Sequence, residues 1–357
     1  MADAPSIDFS VQLHSIREEY SKKRDSTNLF SPTGRELINT RKEFMGTTLY
    51  SIFWYRNGTD ARQYVRLADV AGTLSGEILR LNRELPERDD DYEIVGDQIR
   101  PLKQAPPPPP EEPDGSDDLS QILERLPVVQ VDDGKHFMKQ SRYDSEVRNL
   151  LKCQGESCPG SPASEHIIQL LGKSPDGKLV FEKFKPRYLV LGQVHALSTY
   201  LAWILQLISG LKSLHLLDIV HRDLRIDNLV FSDDYSKIII IDIESHWGIR
   251  QAPELSRDPD VDPGWNEKSD IYDLGNVIRH MVLGNAPITD QVKIPVPSPL
   301  DRIVEACTNS SPEKRPSLDE LHQMVSELND IKECVLSTDD AVHQAGFSNQ
   351  GTVAIIA

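Results

Sequence analysis

The chain has 357 residues, with 39 Lys or Arg and 56 Asp or Glu, which gives a formal net charge of -17 at pH 7. This length allows about two domains, each with a sizeable core. So acidic a surface repels phosphate backbones and anionic membranes, so we expect no nucleic-acid partner and no membrane partner. The four cysteines are too few and too scattered to predict a disulfide framework.

The N-terminal sequence lacks the basic n-region and apolar h-region of a signal peptide. The most apolar stretch, residues 197–217, contains Gln206, Lys212 and His215 and is typical of a buried helix rather than a membrane span. These patterns predict a soluble intracellular protein, either cytoplasmic or nuclear.

The first region, residues 1–104, has enough apolar residues to form a core. Apolar residues recur at helical spacing from Phe9 to Tyr20 and from Leu67 to Leu85. Residues 47–55 are instead rich in strand formers and precede the turn signal Asn57-Gly58, which favours a hairpin. We expect a separate, mostly helical interaction or dimerisation module, in which no pattern indicates catalysis.

Residues 105–118, APPPPPEEPDGSDD, are rich in proline and then acidic. Such a segment cannot build a core and behaves as a semi-rigid, solvated spacer. The segment therefore marks a domain boundary. Its proline run fits either a plain linker or a ligand for an SH3-like partner.

Residues 219–244 read IVHRDLRIDNLVFSDDYSKIIIIDIE. Two apolar runs, residues 229–231 and 238–241, are separated by the turn-type cluster at residues 232–236. This pattern predicts two paired strands.

Three polar side chains lie beside the open end of this predicted hairpin. Asp223 and Asn228 precede the first strand, and Asp242 follows the second. Because a hairpin brings its open ends together, we expect Asn228 and Asp242 to face one site. Two hard oxygen ligands beside the Asp223 carboxylate suit Mg²⁺, which takes few protein ligands and leaves room for phosphate oxygens. The sequence therefore predicts phosphoryl transfer.

The same residues resemble a family. His221-Arg222-Asp223-Leu224 followed by Asn228 is similar to the catalytic loop of eukaryotic protein kinases, H-R-D-L-x-x-x-N. Asp242 stands where that family has the aspartate of its D-F-G motif, although Ile243-Glu244 replaces the Phe and Gly. The resemblance implies that Asp223 orients a substrate hydroxyl, while Asn228 and Asp242 hold Mg²⁺.

The segment before this loop also resembles the family. Residues 128–139 read as strand, turn and strand, and Phe137-Met138-Lys139 resembles the V-A-I-K strand. By that resemblance Lys139 grips ATP phosphates, with Glu146 as its carboxylate partner; a solvated lysine at a strand end is the alternative. No glycine-rich phosphate loop precedes Lys139.

The next two runs, residues 166–172 and 178–184, look like the fourth and fifth strands of a kinase small lobe leading into the hinge. The resemblance makes Phe181 the gatekeeper. The backbones of Glu182 and Phe184 would then hydrogen-bond adenine.

Later residues resemble support elements of the family. Ala252-Pro253-Glu254 is similar to the A-P-E motif, and only thirteen residues run from Asp242 to Glu254, with one Ser and no Thr or Tyr. The resemblance implies that Asp270 holds the catalytic-loop backbone and that Arg315 pairs with Glu254. His221 and Arg222 would also be structural.

Together these patterns predict an α+β, two-lobed kinase-like domain with a reduced small lobe at residues 119–335, and a mobile tail at residues 336–357. We expect an ATP- and Mg²⁺-dependent protein kinase acting on an unidentified protein substrate, with Ser or Thr favoured. The alternative is a pseudokinase that serves as an interaction or nucleotide-binding scaffold. It is favoured by the absent glycine loop, by Glu244 and by the short segment that ends at Glu254.

Overall fold

A computed structural model describes residues 8–26, 35–57, 62–68, 90–95, 98–106, 115–256, 258, 261–284 and 295–328. The chain divides into two compact units. The larger unit comprises residues 1–10, 118–282 and 296–357, and the smaller comprises residues 11–117 and 283–295. None of the helices in the described part is long and apolar enough to cross a membrane.

Helix α1 (Phe9–Ser26) is followed in the chain by a five-stranded sheet. The strands lie in chain order, and neighbours are antiparallel except for the parallel pair β3–β4. The strands are β1 (Arg35–Met45), β2 (Thr48–Asn57), β3 (Arg62–Ala68), β4 (Tyr92–Val95) and β5 (Gln98–Pro101).

This sheet shows that the prediction of a mostly helical first region is wrong for the described residues. Alternate residues of β2 pack into two different buried clusters, with Phe53 in one and Trp54 in the other. A segment of aromatic and β-branched residues that buries both faces fits the two-residue period of a strand. The predicted hairpin is confirmed, because β2 pairs with β3. Leu67 lies in β3, and residues 69–89, on which the helical spacing depends, fall outside the described residues.

The larger unit begins with a short helix and a three-stranded antiparallel sheet in the order β6-β8-β7. Helix α3, which follows β6, carries Glu146 in its first turn. The elements are α2 (Ser120–Glu124), β6 (His136–Lys139), α3 (Asp144–Lys152), β7 (Leu170–Lys173) and β8 (Leu179–Glu182).

The predicted strand before β6 is wrong. Val128 forms only an isolated bridge with Lys173, at the opposite edge of the sheet from β6. Backbone hydrogen bonds explain this position, since Val129 N donates to Lys173 O at 2.8 Å and Lys173 N donates to Pro127 O at 2.9 Å. Within the described residues β6 therefore pairs only with β8.

The rest of the larger unit is mainly helical. The predicted buried helix is confirmed as α5, of which ten residues are buried. The helices are α4 (Arg187–Leu191), α5 (Leu197–Leu216), α6 (Glu267–Leu283), α7 (Leu300–Cys307) and a final helical segment at residues 318–328.

The predicted hairpin at residues 219–244 is also confirmed. β10 (Leu229–Phe231) pairs antiparallel with β11 (Ile238–Ile240), and β9 (Lys185–Pro186) lies along the other edge of β10. Helix α5 fixes the turn, because Trp203 Nε1 donates to Tyr235 O at 2.9 Å and Gln206 Nε2 donates to Ser236 O at 2.9 Å. The open end of the hairpin is thereby held at a fixed place beside the helical core.

Two predicted segments lie wholly or partly outside the described residues. They are the tail at residues 336–357 and the central part of the linker, residues 107–114.

Candidate active site

The larger unit contains a cavity of about 510 Å³, lined by both three-stranded sheets and by α3. Most of its walls are apolar. Lys139, Glu146 and Asp242 lie near the ends of β6 and β11, whereas Glu182 and Lys183 lie at the end of β8. Six of the residues predicted from the sequence line it: Lys139, Glu146, Phe181, Glu182, Phe184 and Asp242.

Lys139 lies between two carboxylates. Its Nζ is 2.6 Å from Glu146 Oε1 and 2.5 Å from Asp242 Oδ1. The Glu146 side chain is 3% exposed, and its second oxygen accepts a hydrogen bond from Ser141 Oγ at 2.9 Å. Lys139 is therefore ion-paired and half-buried, unlike the solvated strand-end lysine of the alternative interpretation.

The charge of Lys139 is stabilised by this arrangement. Burial acts to lower the pKa of its ammonium group, but attraction to Glu146 and Asp242 outweighs burial and raises the pKa above its ordinary value. Burial raises the pKa of Glu244, and the Asp242 carboxylate adds to that rise. The polar end of the cavity thus keeps Lys139 as a charged ammonium group held between two carboxylates.

Asp223 and Asn228 are in direct contact. The Asn228 amide Nδ2 donates to Asp223 O and to Asp223 Oδ2, both at 2.8 Å. Asn228 is buried in a short 3₁₀ turn just before β10. Because the amide nitrogen is used by Asp223, the amide oxygen Oδ1 remains as the group able to bind a cation.

The catalytic-loop backbone is held by a buried carboxylate on α6. Asp270 accepts hydrogen bonds from His221 N at 2.8 Å and from Arg222 N at 3.0 Å, and its side chain also contacts His215 Nε2 at 2.9 Å. Fixing two consecutive amides determines where Asp223, the next residue, lies.

The His221 ring links this loop to the end of β11. Its Nε2 lies 3.1 Å from Ile241 O, and its Nδ1 lies 3.3 Å from Asp223 N. These partners require the tautomer with the proton on Nε2, which then donates to the carbonyl. His221 therefore connects Asp223 to the strand end that precedes Asp242.

Asp242 adopts a left-handed backbone conformation with φ of +62°. The next residue, Ile243, is fully buried, as expected for an apolar side chain in place of Phe. Asn149 on α3 holds this turn, since its Nδ2 donates to Ile243 O at 2.7 Å. The departure from the family's D-F-G sequence thus leaves the aspartate facing Lys139.

Arg222 is oriented by an aromatic ring. Its Cζ lies 5.4 Å from the centre of the Trp265 ring, and its Nε has no hydrogen-bond partner among the described residues. The backbone of Arg222 is in contact with the segment after Asp242, because Ile249 N donates to Arg222 O at 2.9 Å.

Glu254 and Arg315 form a bidentate ion pair, with Nη1 at 2.6 Å from Oε1 and Nη2 at 2.7 Å from Oε2. Arg315 is 2% exposed and also donates to Asn309 O and to Lys268 O, each at 2.8 Å. The pair joins the end of the segment after Asp242 to the helical core, the position that the sequence resemblance assigned to it.

The donor set fits Mg²⁺. In the part of the chain that the structure describes, no three or more His, Cys, Asp or Glu side chains are grouped as metal ligands. Mg²⁺ does not need such a group, because it keeps several waters and uses one or two protein oxygens with substrate phosphates. The Asn228 amide oxygen and the Asp242 carboxylate are oxygen donors of the required kind.

Sequence reasoning missed three contacts at this site. They are the direct pairing of Lys139 with Asp242, the Ser141 bond to Glu146, and the Asn149 bond to Ile243. Asn149 could have been found, because it lies three residues after Glu146 and so on the same face of α3. The Ser141 bond joins residues five positions apart across an irregular turn, and the Lys139–Asp242 pair joins residues 103 positions apart.

Known protein kinases match part of this chain. A "probable LIM domain-containing serine/threonine-protein kinase" of Dictyostelium discoideum is 23% identical over 206 residues, 51% of this chain and 20% of that protein. The mitogen-activated protein kinase kinase kinase mom-4 of Caenorhabditis briggsae is 28% identical over 106 residues, 26% of this chain and 19% of that protein. The serine/threonine-protein kinase ppk25 of Schizosaccharomyces pombe is 31% identical over 146 residues, 32% of this chain and 34% of that protein.

The matches cover from 19% to 34% of the length of these relatives. No family model matches the chain. All three relatives are named as protein kinases, and the similarity to them, at low identity and over part of this chain, supports a protein-kinase-like superfamily.

Proposed function

We propose that residues 119–335 form an ATP- and Mg²⁺-dependent protein kinase that transfers a phosphoryl group to a protein hydroxyl, with Ser or Thr as the favoured acceptor. The observation that carries this proposal is the position of Lys139 between Glu146 and Asp242 at the polar end of the cavity. The names of the relatives support the acceptor preference, since two of those described above are named as serine/threonine kinases.

The cavity suits a nucleotide whose base lies in its apolar part. Phe181 and Phe184 line that part, and the backbone at Glu182 and Phe184 would recognise adenine. Lys139, kept charged by its two carboxylates, would hold the phosphates. Glu146 fixes the direction of the lysine, because both of its oxygens are engaged.

Asp223 would accept or orient the proton of the substrate hydroxyl. Its Oδ2 accepts the Asn228 bond, and its Oδ1 makes no hydrogen bond to any residue of the described part. Asn228 Oδ1 and the Asp242 carboxylate would hold Mg²⁺, which when bound neutralises charge on the phosphates. The protein's contribution is placement and electrostatic stabilisation, so rigid positioning of these side chains decides the rate.

A second candidate is a pseudokinase, a scaffold that binds nucleotide without turnover. It is favoured by the segment before β6, which runs to β7 and supplies no glycine-rich loop over the cavity. Such a loop normally brings backbone amides close to phosphates. We accordingly propose that the small lobe is reduced, whichever of the two functions holds.

We also propose that residues 1–104 are a separate interaction module joined by the linker at residues 105–118. The boundary between the two compact units at residues 117 and 118 supports the position of the linker, although residues 1–10 group with the larger unit.

The experiment is incubation of the purified 357-residue chain with ATP and Mg²⁺ and a generic protein substrate, with phosphorylated sites identified by mass spectrometry. Asp223→Asn is the matched control, because it keeps the shape of the side chain and removes the proton acceptor. We expect wild-type transfer that the variant loses. Equal incorporation in both would show a contaminant.

A thermal-shift titration separates the two candidates. ATP at a hundred times its Kd should stabilise the chain by about 2.7 kcal/mol. A Mg²⁺-dependent shift without transfer would establish the scaffold, and the absence of both shift and transfer would contradict both functions.

A further inference from the structure

Three aromatic side chains form a cluster between the start of α3 and the segment after Asp242. The His246 ring stacks on Tyr143, with ring centres 3.9 Å apart and planes 9° apart. Trp247 Nε1 donates to the Tyr143 hydroxyl at 2.8 Å, and the Trp247 ring meets the His246 ring edge-on at 5.0 Å. We call Tyr143, His246 and Trp247 the aromatic cluster.

Trp247 is 63% exposed, although an indole of this size is usually largely buried. Its one polar atom is aimed at the Tyr143 hydroxyl. Core packing therefore does not explain the position of Trp247. Its contact with Tyr143, which joins the segment after Asp242 to the start of α3, does explain it.

Tyr143 is placed to control the direction of Glu146. It is the residue that precedes α3, with an extended backbone, and its carbonyl accepts hydrogen bonds from Glu146 N at 3.2 Å and from Ser141 Oγ at 3.4 Å. Ser141 in turn holds Glu146 Oε2. A shift of Tyr143 would therefore move the carboxylate that positions Lys139.

The other side of the cluster belongs to the segment that begins at Asp242. His246 and Trp247 follow Asp242 by four and five residues. A second tether lies one turn further along α3, where Asn149 Nδ2 donates to Ile243 O at 2.7 Å and to Ser245 Oγ at 3.3 Å. The helix and the segment are thus joined at two points.

The one hydroxyl residue of this segment is already engaged. Ser245 Oγ donates to Val220 O at 2.7 Å and accepts from Asn149, and its backbone φ is +51°. Between Asp242 and Glu254 there is no Thr or Tyr. The contacts that join the segment to α3 therefore form while Ser245 is unphosphorylated.

We propose that Tyr143, His246 and Trp247 are positioning residues that hold α3 against the segment after Asp242, so that Glu146, Lys139 and Asp242 stay aligned without phosphorylation of that segment. This inference rests on the proposed function for its effect on rate. Its effect on α3 itself does not depend on catalysis.

The size of the effect follows from the contacts. A neutral hydrogen bond and a stacked aromatic pair each change an equilibrium by about two- to thirteenfold. Their combined loss should raise the opening of α3 by about 5- to 150-fold. If the aligned state is the active one, kcat should fall as α3 opens, while the KM for a protein substrate changes little.

The test measures hydrogen exchange of the α3 amides, residues 144–152, together with kcat and KM. Tyr143→Ala and Trp247→Ala remove the contacts, whereas Tyr143→Phe and Trp247→Phe keep each ring and remove the hydrogen bond. Leu216→Ala, which truncates another exposed apolar side chain at 76% exposure, is the matched control. Phosphatase-treated wild type is measured in parallel.

We expect faster α3 exchange and lower kcat in both alanine variants, smaller changes in both phenylalanine variants, none in Leu216→Ala, and full activity after phosphatase treatment. Unchanged α3 exchange in the alanine variants, or a wild type that phosphatase inactivates, would overturn the inference. If wild type transfers no phosphate but α3 exchange is still faster in the alanine variants, the proposed function is wrong. The inference that the aromatic cluster holds α3 is then still supported. If Tyr143→Ala does not fold, α3 exchange in Tyr143→Phe and Trp247→Phe tests the inference, and unchanged exchange in both would overturn it.

Discussion

Replacing Glu254 by Ala should strongly destabilise the larger unit. Arg315 is fully buried, and two of its guanidinium nitrogens donate hydrogen bonds to the Glu254 carboxylate oxygens at 2.6 and 2.7 Å. After the substitution its guanidinium keeps hydrogen bonds to the carbonyls of Asn309 and Lys268 and its contact with the Tyr272 ring, but no carboxylate. Removing one partner of a buried ion pair costs about 3–5 kcal/mol. For a unit of this size, that corresponds to a fall in Tm of about 6–20 °C.

Thermal unfolding followed by tryptophan fluorescence measures this directly, because three of the four tryptophans lie in the larger unit. Glu305→Ala on α7 is the matched control, since that exposed carboxylate should change stability by no more than about 0.5 kcal/mol. A decrease of less than about 1 kcal/mol in the free energy of unfolding of Glu254→Ala would refute the reasoning. A buried guanidinium left without its carboxylate should destabilise the fold by more than that.

The pH dependence gives an independent check on the same pair. Burial acts to raise the pKa of Glu254, but hydrogen bonding to Arg315 outweighs it and lowers the pKa below the ordinary value of 4.5. A depressed folded-state pKa means that the stabilisation is fully present above the unfolded pKa and is lost as pH falls through the folded one. The gap in Tm between wild type and Glu254→Ala should therefore narrow only on the acid side, below about pH 4.5.

Two further predictions concern other parts of the larger unit. Burial, with repulsion from Asp270, raises the pKa of Asp273 well above its ordinary value, and neither Asp273 oxygen has a hydrogen-bond partner among the described residues. A raised folded-state pKa means stability that is present at low pH and lost as pH rises. The Tm of Asp273→Asn minus that of wild type should thus increase from pH 5 to pH 8, and parallel curves would contradict this. A Cβ at Gly248 would lie 2.6 Å from the Arg222 carbonyl oxygen, so Gly248→Ala should cost about 1–3 kcal/mol by thermal unfolding, and an unchanged Tm would show that the backbone yields freely.

Much of the site was predictable because its residues are close in the sequence. The hairpin follows from two apolar runs around a turn cluster, and the order of Asp223, Asn228 and Asp242 places all three at its open end. Resemblance to protein kinases supplied the distant contacts of Asp270 and Arg315.

The remaining features depend on pairings that no local pattern reveals. Residues near Leu67 have helical spacing in the sequence, yet β3 pairs with β2 and buries both of its faces. Residues 128–131 have the composition of a strand, but the backbone hydrogen bonds of Pro127 and Val129 go to Lys173 of β7 rather than to β6. The contact between Tyr143 and Trp247 joins residues 104 positions apart.

The most direct test of the central claim is the rate of Mg²⁺-dependent phosphoryl transfer from ATP by wild type and by Asp242→Asn. Asn suits this position, because it tolerates the left-handed backbone of Asp242 and keeps the size of the side chain. The Lys139–Asp242 pair is 31% exposed on each side, so its loss should cost no more than about 1 kcal/mol of stability.

We predict that the variant loses transfer by more than about a hundredfold while its Tm changes by only a few degrees. An Asp242→Asn protein that transfers phosphate at the wild-type rate, or a wild type that binds ATP with Mg²⁺ and transfers nothing, would contradict the account.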